Sequence, residues 1–278
     1  MILSVSLTSD RRWPLFEFAY CKDFEGMLDE LSAPPLAAKE DWQFQSPTAE
    51  QQQYKHPILY NYIHHTFKRL KEEYDSTDDP KLKQAKIAIV GDKACFNTGL
   101  YTTNYEQIFG FFTRNRREDA QPWYMMGFVR ESDLELNDFV PLPTRAEYFK
   151  DISELVFDYR QEIRVNVDHI LTNPNNVARL PRIFQSPERR ELLMNVFSGA
   201  VNLAKKKVAA NYRLAVPQYY EGRVQLLLPL CLESNVPDAA LVIYKEGSIY
   251  QGRTCLTIDM AYNNARLIAK PESDWLKP

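Results

Sequence analysis

The sequence predicts an α+β fold: a mainly antiparallel mixed sheet with helices packed on it and an irregular N-terminal arm. Three observations lead there. Apolar side chains recur at three- and four-residue steps between Pro57 and Leu70, the period of a helix with one buried face. Four short apolar runs between Leu214 and Asp259 are punctuated by Glu221-Gly222 and Glu246-Gly247, where two-residue hairpin turns belong. Sixteen Tyr, fifteen Phe and four Trp against nine Gly in 278 residues describe a chain with much to bury and few loose joints.

Composition narrows the function classes. Hydrophobic residues make up 45% and charged residues 26%, the balance of an ordinary globular protein. A formal net charge of −3 disfavours a protein that coats nucleic acid by bulk electrostatics, and leaves room for a local basic patch. No stretch approaches the roughly 20 apolar residues of a membrane span. The start, Met1-Ile-Leu-Ser-Val-Ser-Leu, lacks the basic opening of a secretion signal. A cytoplasmic location and no membrane partner are therefore expected. Cys21, Cys95, Cys231 and Cys255 are scattered, with no Cys-x-x-Cys pair, and read as reduced core residues.

Taken in order, residues 1–52 are short apolar clusters broken by Pro34-Pro35 and the polar Gln51 run, an arm packed on a single α+β domain over 53–278. His56-Pro57 opens the clearest helix, with Leu59, Tyr62, Ile63, Thr66, Phe67 and Leu70 on its apolar face. His64 and His65 point about 100° apart on it, so they do not share a metal and read as solvated or hydrogen-bonded histidines. Lys86 to Val90 is a short strand. Gly91-Asp-Lys93 to Asn97-Thr-Gly99 follows without a Walker or dinucleotide pattern, and reads as strand–turn–strand with Asn97 and Gly99 in turn conformations; a phosphate-cradling loop is the alternative. Pro122 to Arg130 reads as a strand and Tyr148 to Tyr159 as an amphipathic helix. From Arg160 to His169, Ile163, Val165 and Val167 alternate with Arg164, Asn166 and Asp168, which puts three polar groups on one strand face, lining a cleft or facing water. Pro187 to Tyr212 is the longest helix, with Lys205-Lys206-Lys207 near its end and Arg179, Arg182, Arg189 and Arg190 just upstream. Strands over Leu214–Tyr220, Arg223–Leu232, Ala239–Tyr244 and Ile249–Asp259 complete the sheet, and a short helix carries Asn263, Asn264 and Arg266.

The chemistry the sequence offers is sparse. Four histidines and no clustered cysteines give no conventional metal site, no Gly-x-Ser-x-Gly elbow is present, and no cofactor is indicated. Asp168 beside His169, and Asp259, are the candidate acid–base groups. Lys93, Asn97, Arg164, Asn166, Asn263, Asn264 and Arg266 are the candidate ligand-binding groups, arginine gripping phosphate in fork geometry and Asn reading a base or sugar. The expectation is that these clusters converge on one pocket.

Several blocks carry a family resemblance: Phe96-Asn-Thr-Gly-Leu-Tyr-Thr102, Arg164-Val-Asn-Val-Asp-His-Ile-Leu171, Ala215-Val-Pro-Gln-Tyr219, Leu226-Leu-Leu-Pro-Leu-Cys231 and, most specifically, Leu256-Thr-Ile-Asp-Met-Ala-Tyr-Asn-Asn-Ala-Arg-Leu-Ile268. From about Pro57 to Leu276 the chain resembles the family known as domain of unknown function 3825. Members stand beside cold-shock-type and other RNA-associated modules, so the resemblance implies a role connected with RNA, with no reaction and no catalytic residue attached. RNA or a nucleotide is the partner expected on that basis. The competing expectation is a non-catalytic binding or scaffold domain, with a protein partner, whose Asn and Asp groups only cap helices and fix turns.

Overall fold

The computed structural model describes residues 13–34, 36–44, 54–186 and 190–276. These divide into two compact units, one from the described residues of 1–43 and 52–147, the other from those of 44–51 and 148–278. The α+β class holds in both, each unit having a five-stranded sheet with helices packed on it.

The first unit runs α1 (Pro14–Phe18), β1 (Ala19–Tyr20), α2 (Phe24–Leu31), α3 (Pro57–Asp75), α4 (Pro80–Gln84), β2 (Ile87–Val90), β3 (Lys93–Tyr101), β4 (Gln107–Arg114) and β5 (Trp123–Arg130). Strand order is β1-β5-β4-β3-β2, antiparallel except where β1 joins β5. All six residues of the predicted α3 stripe are buried. They meet the sheet through rings: Phe67 stands edge-on to Phe96 at 5.1 Å, and Phe96 stacks on Phe112 at 5.8 Å. Alternate residues Cys95, Phe109 and Phe111 point to the opposite face, where Leu136 and Phe139 from the segment after β5 cover them. The sheet is thus buried on both sides, which is why its strands read as continuous apolar runs.

One expectation holds only in part and another fails. The turn between β2 and β3 falls at Gly91-Asp92, with Gly91 at φ +57°; Gly99 does take the expected left-handed backbone, at φ +73°, but it and Asn97 lie within β3, where the pairing with β4 is irregular between Asn97 and Tyr101. His64 is neither solvated nor hydrogen-bonded: it is fully buried with both ring nitrogens unpartnered, stacked on Trp13 at 4.9 Å and hemmed in by Phe16, Phe24 and Tyr60. The aromatic cluster of α1 and α2 packs over this end of α3, which periodicity within α3 alone does not reveal.

The second unit runs β6 (Glu162–Val165), α5 (Val167–Thr172), α6 (Pro174–Val177), α7 (Arg190–Ala210), β7 (Val216–Tyr220), β8 (Arg223–Leu230), β9 (Ala239–Glu246), β10 (Ile249–Leu256) and α8 (Ile258–Ile268). Strand order is β6-β10-β9-β8-β7, with β6 parallel to β10 and the rest antiparallel. Leu226, Leu228, Leu241, Ile243 and Cys255 form a core with Phe197, Val201, Ala204 and Val208 of α7. Helix α8 packs mainly on β7. The β7–β8 hairpin turns at Glu221-Gly222, both residues at positive φ (+48° and +82°), as a tight primed turn requires.

Three sequence expectations are corrected in this unit. Tyr148–Tyr159 is not a helix but extended chain with one 3₁₀ turn at Ile152–Leu155. Ile152, Val156 and Tyr159 of the proposed apolar face are exposed, and Asp151 and Asp158 spend their carboxylates on the nearby N–H groups of Ser153 and Arg160, bonds that compete with a helix. The strand expected over Arg160–His169 stops at Val165, because Asn166 turns to cap α5; Arg164, Asn166 and Asp168 therefore do not share a strand face. Asp259 is the second residue of α8, not the last of a strand. Parts of the expected arm (1–12, 45–52) and the start of the expected long helix (187–189) lie outside the described residues. Among the described residues no helix is long and apolar enough to cross a membrane.

Candidate functional site

The two candidate ligand groups of the first unit already have structural partners. Asn97 is buried on β3; its Nδ2 donates to Gln107 Oε1 at 2.7 Å and to the Pro143 carbonyl at 3.3 Å, and its Oδ1 accepts from the Gly99 N–H at 2.8 Å. The side chain serves the strand irregularity beside it and ties in the Pro143 segment. Lys93 donates to the Asp138 carboxylate at 2.5 Å.

In the second unit the candidates fall into two groups on different elements. Arg164 is exposed and pairs at 2.9 Å with Glu162, two residues back on the same strand face. Asn166 accepts from the His169 N–H at 3.0 Å, capping α5. Asp168 is exposed in the first turn of that helix and His169 is half-buried beside it. Consecutive helix positions diverge by about 100°, so the pair is not arranged as an acid–base couple. The other group rides on α8. Asp259 and Arg266 are buried, Asn263 and Asn264 half-buried, and Asn264 Nδ2 donates to Gln218 Oε1 at 3.1 Å. Gln218 passes the chain on to Gln225 Oε1 at 2.8 Å, directly across the β7–β8 ladder. This relay anchors α8 to β7. Gln218 and Gln225 were not singled out from the sequence, although their equal spacing from the Glu221-Gly222 turn places them opposite each other.

Sequence reasoning also missed the role of α6. Asn173 caps it through the N–H groups of Asn175 and Asn176, with Pro174 in the first turn, where its missing donor costs nothing. Strand β10 shifts register between Gly252 and Thr254, leaving Arg253 as the extra residue of a bulge. Along the edge of β10 that β6 occupies, backbone pairing ends with the Asn166 N–H on the Gly252 carbonyl at 2.9 Å. Side chains then continue it. Asn176 Nδ2 donates to the Arg253 carbonyl and its Oδ1 accepts from the Cys255 N–H, both at 3.2 Å, so its amide mimics a peptide unit. Arg179 Nη1 donates to the Cys255 carbonyl at 3.2 Å.

Arg179 is the unusual member. Its side chain is nine-tenths buried, and burial holds its pKa below the usual arginine value, with Tyr220 and Cys255 opposing that only in part. Among the described residues no carboxylate pairs with it. Arg182 and Arg253, both exposed, likewise have no ion pair there. Two residues beyond Cys255, Thr257 stands at the N-cap of α8 with its hydroxyl buried and unpartnered. A guanidinium presents five donors in a planar fork, and the Cys255 carbonyl occupies one. Such a group, partly withdrawn from water, suits an oxyanion with two coplanar oxygens, a phosphate or a carboxylate. The Cys255 thiol, pushed up by complete burial, is no nucleophile. Among the described residues no cluster of His, Cys, Asp or Glu could hold a metal ion.

The sequence matches the family described as "Domain of unknown function (DUF3825)" over residues 34–275, and the chain belongs to this family. No curated protein and no solved structure matches it.

Proposed function

We propose that this family member binds a phosphate-bearing ligand of the nucleotide or RNA class, gripped by Arg179 at the β10–α8 junction of the second unit. The observation that carries the reading is a buried guanidinium that meets no carboxylate among the described residues. Withdrawing a cation from water is costly unless an opposite charge faces it, and buried arginines are almost always paired. A ligand oxyanion supplies that charge. Arg182, three residues beyond Arg179, and Arg253, two residues before the Cys255 whose carbonyl Arg179 holds, are both exposed and favour a ligand with more than one phosphate. A second reading, a scaffold whose polar groups are structural, is favoured by Asn97, Asn166 and Asn264, each engaged in capping or tying elements together.

Fluorescence anisotropy with a labelled short RNA and a labelled nucleoside triphosphate separates the two. The binding reading expects affinity that falls with salt and drops on the order of tenfold to a hundredfold in Arg179→Met, the worth of a charged hydrogen bond. Asn264→Ala should leave it unchanged. No binding by either probe, or equal binding by Arg179→Met, favours the scaffold.

A further inference from the structure

Helix α8 starts with a cap residue whose side chain does not cap. Thr257 stands at the N-cap in extended backbone, the usual setting for a hydroxyl that accepts from the second or third N–H of the helix, yet it makes no such bond. The residue is 3% exposed, and its hydroxyl has no partner among the described residues. Buried hydroxyls are as a rule hydrogen-bonded, so an unpartnered one calls for a group from outside the chain. The first-turn N–H groups beside it have no partner within the helix, and the dipole of 11 residues gathers positive potential at the same end. That combination selects an anion.

Arg179 approaches the same corner. Its Nη1 lies 3.2 Å from the Cys255 carbonyl, and two residues of chain, at most about 7 Å, separate Cys255 from Thr257. One phosphate with a hydrogen bond on either side bridges such a span. Asp259 also belongs to the first turn, but it already has a partner in the chain and, two residues on, leaves the helix about 200° round from Thr257.

We propose that the group bound here is a terminal phosphate, held by the Arg179 fork on two oxygens and by Thr257 and the first turn of α8 on the third. This rests on the reading of Arg179 as the phosphate grip. A phosphodiester inside a strand has two free oxygens, which the fork alone would use; a phosphomonoester has three, matching the donors on both sides. Burial points the same way. Arg179 and Thr257 are each more than nine-tenths buried, so the end of a ligand reaches them and a strand running past does not. The ligands are then nucleotides and phosphorylated RNA ends, not RNA interiors.

Fluorescence anisotropy with one internally labelled short RNA tests this, the RNA carrying a 5′-phosphate, a 3′-phosphate or neither. At least one phosphate-ended form should bind about tenfold or more tightly than the hydroxyl-ended form, and the preferred form identifies the end. Thr257→Val should cut that preference by about threefold to tenfold, and Thr257→Ser should keep it. The thermal midpoint of Thr257→Val should not fall, since the hydroxyl has no partner to lose. Equal binding of all three forms that still depends on Arg179, or a preference that Thr257→Val leaves intact, overturns this inference while the Arg179 reading stands. So does a midpoint lowered by several degrees in Thr257→Val, which would assign the hydroxyl a partner inside the chain. Absence of binding, or binding indifferent to Arg179→Met, overturns both.

Discussion

Each unit withdraws a cation from water, and the two treat it in opposite ways. In the first, Lys86 lies 2.8 Å from Glu73 and 2.8 Å from Glu147; burial works against its charge, yet the two carboxylates outweigh burial and hold its pKa above the ordinary lysine value. In the second, Arg179 has a backbone carbonyl and, among the described residues, no carboxylate, and burial prevails. A charge closed by its own chain is part of the framework. A charge left open is an unfinished interaction that a ligand can complete. Residue type does not separate the two cases; neighbours do.

The comparison can be broken first where it predicts the largest change. If the polar groups of the first unit are framework, Asn97→Ala should lower stability by about 3 kcal/mol, because it leaves the Gly99 N–H and the Pro143 carbonyl without their partner in a buried setting. Chemical denaturation measures it, and a loss below about 0.5 kcal/mol would show that Asn97 is no framework residue.

His64 gives the next effect. Burial lowers its pKa from 6.5 to about 3, so the unfolded chain takes up a proton there that the folded chain refuses. The stability this contributes is fully present above pH 6.5 and is lost as pH falls towards 3, at about 1.4 kcal/mol per pH unit from this one group. His65, lowered to about 4 by burial and then by Lys68, adds loss in the same direction. His64→Phe should flatten the slope by His64's share. At neutral pH it should leave stability equal or raise it by up to about 1 kcal/mol, since two unpartnered nitrogens are removed from an aromatic cluster. A steeper slope, or a large loss at neutral pH, would mean that His64 has a partner.

Much of the fold was legible in the sequence, because it rests on local pattern. The α3 stripe, the Glu221-Gly222 turn and the runs that became β7 to β10 depend on periods of three to four or of two, and on glycine at a turn. What failed depends on competition or distance. Asn166 read as one more alternating strand residue until its helix cap outbid the strand, and Tyr148–Tyr159 matched helical spacing while half its apolar face had nothing to pack on. For the candidate site, the Asn264 anchor lay in a block already singled out, but Asn176 and Arg179 meet β10 across 79 and 76 residues of chain, at a bulge no local pattern announces. Arg179 was visible only as one positive charge among several.

The most direct test of the account is the thermal midpoint of the protein in rising inorganic tripolyphosphate, compared between the wild-type chain and Arg179→Met. A ligand that binds the native state raises the midpoint by mass action, so the account predicts a saturating rise in the wild type and none in the variant, whose own midpoint without ligand stays equal or increases. Equal rises in both proteins, or a large loss of stability in the ligand-free variant, would contradict it.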